Sequence, residues 1–368
     1  MRHVIALDVG GTGIKAALVG ADGALLRQAR RATGRERGPE AVLETVLGFA
    51  AELHAYGAEH FGGQDGEGAA AVGVAVPGLV DAERGIALYA SNLGWRDVPL
   101  RDRLSARLGG VPAALGHDVR AGGLAEGRLG AGRGTDRFLF VPLGTGIAGA
   151  ICIGGAIEAG AHGSAGEIGH VVVRPDGPEC RCGQRGCLET LASAGAVTRA
   201  WAAASGDPGA DAADCAEAVD SGDPRAVRVW DDAVDALAAG LVTALTLLDP
   251  RTLIIGGGLA EAGETLFTPL RAAIERRVTF QRVPRIVPAA LGDTAGCLGA
   301  GLLAWDLLTA GADMDSSAPP SRSTASPPAT PAPSTPSSTP APSTPAPSTP
   351  ASSTPAARLA PAPTEVNP

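Results

Sequence analysis

"VIALDVGGTGIKAALVGADGALL", residues 4–26, decides how the rest of the chain is read. An apolar strand runs into a Gly-Gly-Thr-Gly turn, and "IKAALVG" continues as a second strand instead of opening a helix. That excludes a dinucleotide fingerprint, in which the glycines lead into a helix. It also excludes a Walker loop, which needs G-x-x-x-x-G-K-[ST] before a helix. Ala21-Asp22-Gly23 then turns the chain into a third strand, Asp-Gly being a hairpin signal. In such a turn the backbone N–H groups of Gly10 and Gly11 and the Thr12 hydroxyl can converge on an anion. Lys15 follows on the second strand, and Asp8 at the end of the first is placed to hold a magnesium ion through water. A lone glycine-rich hairpin is more simply an ordinary turn.

This hairpin is not alone. "RFLFVPLGTGIAGAICIGGAIEAG" (137–160) repeats its layout of strand, Gly-Thr-Gly turn (Gly144, Thr145, Gly146), strand, glycine turn and strand. A third glycine cluster, Gly256, Gly257 and Gly258, ends the apolar run "TLIIGGG" (252–258). Three matched glycine elements favour nucleotide binding, and two echoing units suggest two related lobes.

"GSAGEIGHVVVRPDGPECRCGQRGCLET" (163–190) adds chemistry of another kind. Cys180, Cys182 and Cys187, with His170 upstream, offer three thiolates and an imidazole, the set a tetrahedral zinc takes. Pro175 to Pro178 let the chain fold back so that His170 can reach them. Buried free thiols or a redox pair are the rival readings. Four protein ligands would make the metal structural, leaving the second ring nitrogen of His170 as a donor. The same fold-back draws together Glu167 and Glu189, carboxylates able to accept from vicinal hydroxyls. Glu189 as a plain helix N-terminal charge is the bland account. Cys152, Cys215 and Cys297 sit in apolar surroundings and read as core residues.

The Asp-x-Gly-Gly-Thr turn, the 144–146 hairpin and "IIGGG" resemble the sugar-kinase branch of the actin-like ATPase fold. "GEIGH" followed by "CRCGQRGCLE" (180–189) narrows the resemblance to the ROK family (repressors, open reading frames and kinases), over residues 3–306. The resemblance implies an α/β, ribonuclease H-like fold of two lobes around a central cleft. Residues 1–118 would form the N-terminal lobe and 119–310 the C-terminal lobe, with a last helix at about 296–309 packing on the first. It further implies that the Cys–His set binds zinc and that Glu167, His170 and Glu189 contact a sugar.

"ALGHDVRAGGLAEGRLG" (114–130) places Asp118 at a strand-to-helix junction. Alone, Asp118 reads as a helix cap. The resemblance implies the catalytic base, since phosphoryl transfer to an alcohol needs a carboxylate beside the attacking hydroxyl. The family pattern has Asn before that Asp where this chain has His117. Either side chain can donate to a sugar hydroxyl, so the departure bears on which sugar is taken. "YASNLGWRDVPL" (89–100) matches the substrate-side loop, with Asn92 on the sugar, Gly78 near it and Trp95 packed.

The chain has 368 residues, 45% of them hydrophobic, a net charge of −9 and six cysteines. Without clustered Lys and Arg the charge speaks against nucleic acid; "RQARRATGRERG" (27–38) reads as a strand end entering a loop. No run approaches a membrane span, and the start lacks a leader pattern, which points to the cytoplasm. Helices are expected near 39–56, 97–108 and 230–248, the last stopped by Asp249-Pro250. The Pro/Ser/Thr/Ala-rich segment 311–368 is expected to be disordered. The resulting expectation is an ATP- and magnesium-dependent hexokinase, most simply a glucokinase acting at the 6-hydroxyl, as a homodimer or homotetramer. The alternatives are a kinase for N-acetylmannosamine or fructose, polyphosphate as donor, and a sugar-sensing repressor. The last is disfavoured because the phosphate hairpin begins at residue 4.

Overall fold

A computed structural model of the chain describes residues 1–62 and 68–316. β1 (His3–Val9), β2 (Gly13–Gly20) and β3 (Leu25–Ala32) form an antiparallel meander. Helix α1 (Pro39–Phe61) crosses back to β4 (Val72–Val76), which lies parallel to β1. A small sheet of β5 (Leu79–Asp81), β6 (Ile86–Ala90) and β7 (Trp95–Val98) follows, then α2 (Leu100–Arg107). β8 (Ala113–His117) completes the order β3-β2-β1-β4-β8. Helix α3 (Asp118–Leu129) leads out of this sheet.

The second sheet repeats the plan. β9 (Arg137–Pro142), β10 (Ala150–Ile153) and β11 (Ala156–Ile157) form another antiparallel meander. Helices α4 (Leu188–Ala192), α5 (Ala194–Ser205), α6 (Ala212–Asp220) and α7 (Pro224–Leu248) intervene before β12 (Thr252–Gly256), parallel to β9. After α8 (Glu264–Glu275), β13 (Arg285–Pro288) gives the order β11-β10-β9-β12-β13, position for position that of the first sheet. α9 (Ala295–Ser316) closes the described chain. The sequence echo is therefore an echo of topology.

Successive residues of a strand face opposite sides, and β1 is buried on both because each side meets its own layer. Ile5, Leu7 and Val9 pack with Val42, Val46 and Phe49 of α1, whereas Val4 and Ala6 pack with Ala300 and Ala304 of α9. In the second sheet Leu139, Val141, Leu253 and Ile255 share a core with Val234, Leu237 and Leu241 of α7. Its other face, with Phe138, Phe140 and Ile254, meets α3. α3 is thus held between that sheet and α9, which explains its run of small residues. A Cβ on Gly123 would stand 2.3 Å from that of Ala150, and one on Gly299 of α9 would stand 2.0 Å from the Ala121 carbonyl oxygen. The helix that begins with Asp118 is accordingly locked on two sides.

Three expectations are corrected. Residues 95–98 are a strand, not the start of the helix expected at 97–108: Trp95 is buried, its indole N–H donates to the Pro39 carbonyl at 3.0 Å, and β7 pairs with β6. α7 starts at Pro224 rather than 230, because Asp223 caps it by accepting from the Arg225 N–H at 2.8 Å. α9 continues to Ser316, into the segment assigned to the tail, since no proline interrupts it before Pro319. The remainder of 311–368 lies outside the described residues. Among the described residues, no helix is long and apolar enough to cross a membrane.

Candidate active site

β8 ends at His117, where its pairing with Val76 of β4 stops, and the chain turns directly into α3. His117 caps that helix: its Nδ1 accepts from the Arg120 N–H at 3.4 Å. The cap is therefore His117, not the alternative Asp118, and Asp118 is the first helical residue. Its Oδ1 accepts from the Val119 N–H at 2.7 Å and lies 3.4 Å from His117 Nδ1. An Nδ1 that accepts leaves the proton on Nε2, which points toward Glu167 Oε1 at 3.8 Å. Burial lowers the His117 pKa, against the opposing charge of Asp118.

Arg120, absent from the sequence reading, extends from α3 to the loop that precedes Glu167, where its Nη1 donates to the Gly163 carbonyl at 2.9 Å. Burial lowers its pKa, with Glu167 and Asp118 pulling the other way. Glu167 responds in kind. Its carboxyl is pushed up by burial, while the charge of Arg120 counters the rise.

Past Glu167 the chain forms a short hairpin. The Cys180 N–H donates to the Gln184 carbonyl and the Gly186 N–H to the Pro178 carbonyl, both at 2.8 Å. The fold-back gathers one ligand atom each from His170, Cys180, Cys182 and Cys187 within 4.8 Å of one another. His170 Nδ1 lies 3.6 Å from Cys180 Sγ, and Cys182 Sγ lies 3.6 Å from Cys187 Sγ. Zn–S bonds of about 2.3 Å at tetrahedral angles require edges of roughly 3.8 Å, so the donor set and its spacing fit zinc. Nδ1 faces the thiols, which leaves Nε2 as the free ring nitrogen.

Glu189, the second residue of α4, stands in that helix's first turn but hydrogen-bonds outside it. Its Oε2 accepts from the Ile147 N–H at 2.9 Å, next to the second glycine turn. The Ala194 N–H donates to the Gly144 carbonyl at 2.9 Å, so α4 and α5 together hold Gly144, Thr145 and Gly146. On the first hairpin, Gly11 lies against Asn92, 3.2 Å from its Cβ to a Cβ built on the glycine. Gly78, with φ +92°, turns β4 into β5 where a side chain would strike the Tyr89 carbonyl.

A cavity of about 440 Å³ is lined by Asp8, Lys15, Asp118 and Gly256, Gly257 and Gly258. Phe140, Ala289 and Asp293 add to its wall. Gly10 and Thr12 face an adjoining hollow that shares Asp8 and Lys15. Burial pushes the Asp8 carboxyl up to about 6, opposed by Lys15, whose Nζ is 3.9 Å away. Lys15 and Arg30 both pair with Asp293, a second residue the sequence did not flag. Cys152, Cys215 and Cys297 are buried away from the thiol cluster.

A sequence model described as the ROK family matches residues 4–306. The glucokinase of Thermotoga maritima is 37% identical over 313 residues, spanning 81% of this chain and 95% of its own. Among solved structures, a ROK hexokinase from Thermus thermophilus superposes with a TM-score of 0.71 at 33% identity, covering 84% of this chain and all of the other. A ROK family glucokinase from Streptomyces griseus, in complex with glucose and AMPPNP, gives 0.69 at 34% identity over 83% of this chain and 99% of its own.

Proposed function

This chain belongs to the ROK family as one of its sugar kinases, and from that premise we propose that it transfers the γ-phosphoryl group of ATP to the 6-hydroxyl of glucose. One observation carries the reading. Asp118, at the head of a helix locked on both sides, opens onto the same cavity as Asp8, Lys15 and the Gly256–Gly258 strand end. A carboxylate that can receive a hydroxyl proton therefore borders the wall that can take a nucleotide.

The reading assigns these roles. Asp118 takes the proton of the 6-hydroxyl. Asn92, His117, Glu167, His170 Nε2 and Glu189 orient the ring through its other hydroxyls, with Gly78 shaping the adjacent turn. Gly10, Gly11, Thr12 and Lys15, with Gly144, Thr145 and Gly146, cradle the phosphates, and Gly256 to Gly258 admit the adenosine closely because they carry no side chains. Asp8 would hold the magnesium ion, which neutralises phosphate charge when bound. His170, Cys180, Cys182 and Cys187 would hold a zinc ion whose contribution is to fix the acceptor loop.

The test is a coupled ADP-release assay with ATP against glucose, fructose, mannose, N-acetylmannosamine and N-acetylglucosamine. Glucose is expected to give the highest kcat/KM. A higher value for any other sugar reassigns the acceptor, and no turnover with the whole panel overturns the kinase reading.

A further inference from the structure

Glu126, the ninth residue of α3, is completely buried, a rare setting for a carboxyl group. Its partners are backbone donors. Oε1 accepts from the Leu291 N–H at 2.8 Å, and Oε2 accepts from the N–H groups of Ala131 at 2.8 Å and Ala290 at 3.2 Å. Gly130 leaves the room this requires, since a Cβ there would stand 2.1 Å from Oε2. Without such donors a buried carboxylate would be strongly destabilising.

The three bonds do different things. The one to Ala131 closes the C-terminal end of α3. Those to Ala290 and Leu291 reach 164 and 165 residues along the chain and add nothing to the helix. They fix a short segment whose flanking residues, Ala289, Gly292 and Asp293, wall the 440 Å³ cavity. Asp293 in turn holds Lys15 and Arg30. One helix therefore starts with the group on the acceptor side and, two turns later, anchors the wall on the donor side.

We propose that Glu126 is a positioning residue for the phosphoryl donor, holding the 289–293 wall in register with Asp118. The inference rests on reading that cavity as the ATP site. Glu126→Gln is the informative variant because it keeps the shape and retains one acceptor oxygen. With that oxygen toward Ala131 and Ala290, its amide NH2 opposes the Leu291 N–H, the bond next to the cavity wall.

The expected result is a KM for ATP raised about tenfold, the scale of one charge-assisted hydrogen bond. The hexose KM and the kcat at saturating ATP should stay near wild type. A merely structural role would lower the melting temperature and the active fraction while moving neither KM. Ala290→Pro, at an exposed position, removes one donor from the loop side without touching the carboxyl group. It is expected to raise the ATP KM about threefold and covers a Glu126→Gln chain that does not fold. An unchanged ATP KM in whichever variant folds, or an equal rise in the hexose KM, overturns the proposal. Wild-type protein that binds no ATP by calorimetry overturns the site reading, and the inference with it.

Discussion

Glu189 and Ile147 are joined across the site: the carboxylate on α4 accepts the backbone N–H beside the second glycine turn at 2.9 Å. On the proposed roles, the residue that orients the sugar also braces the turn that holds phosphate. A Cβ on Gly146 would stand 2.4 Å from Glu189 Oε2, so Gly146→Ala must displace the carboxylate and break that bond. We expect the hexose and ATP KM values to rise together, each by about five- to tenfold, with the fold intact. Steady-state kinetics varying one substrate at a time reads this directly. A change in the ATP KM alone would mean that the brace does not reach the sugar.

Asp118→Asn keeps the size and the helix start while removing the proposed base. kcat should fall by about 10²–10⁴, the usual worth of general-base assistance, with hexose affinity changed little when measured by tryptophan fluorescence or calorimetry. Because His117 supplies the cap, the variant should melt within a degree or two of wild type, which separates chemistry from folding.

Much of this site is legible in the sequence, and what is not has a common cause. Strand–turn–strand hairpins and the Cys–His spacing are local patterns, so the glycine turns and the thiol cluster can be read from consecutive residues. Which residue caps α3 is not legible in the sequence, because His117 and Asp118 can both cap. Only the point where β8 stops pairing with β4 decides between them. Residues 97 and 98 belong to a strand and not to the expected helix because of cross-strand pairing and the burial of Trp95. Arg120, Glu126 and Asp293 went unassigned because their partners lie 43, 165 and 278 residues away. Pattern within a window carries no information about those contacts.

Arg120 ties α3 to the loop at Gly163, so Arg120→Met should loosen the acceptor side alone. A hexose KM raised about tenfold with an unaltered ATP KM is the expected outcome. Arg120→Lys, which keeps the charge but loses the planar fork, should fall between the two. If both variants behave as wild type, the Gly163 contact has no part in acceptor binding.

Metal content tests the thiol cluster. Purified protein should carry about one zinc per chain, and Cys187→Ser, which alters a completely buried thiol of the cluster, should lose it. The hexose KM is expected to rise far more than the ATP KM, because the cluster shapes the loop bearing Glu167 and His170. Metal-free protein with a wild-type hexose KM would rule this out.

The α7 cap supplies a pH signature. Hydrogen bonds from the Arg225 side chain, then from its backbone N–H, hold the Asp223 carboxyl at about 2 against an ordinary 3.8. The native pKa lies below the unfolded one, so from about pH 4 downward the unfolded chain binds more protons. The stabilisation is therefore complete above the unfolded pKa and is lost as pH falls through the native one. Asp223→Ala should melt a few degrees below wild type, by a gap that is constant from about pH 5 to pH 8 and narrows steadily below pH 4. Thermal melts of both proteins across that range make the comparison. A gap that stays constant down to pH 3 would assign the effect to the shape of the cap and not to its charge.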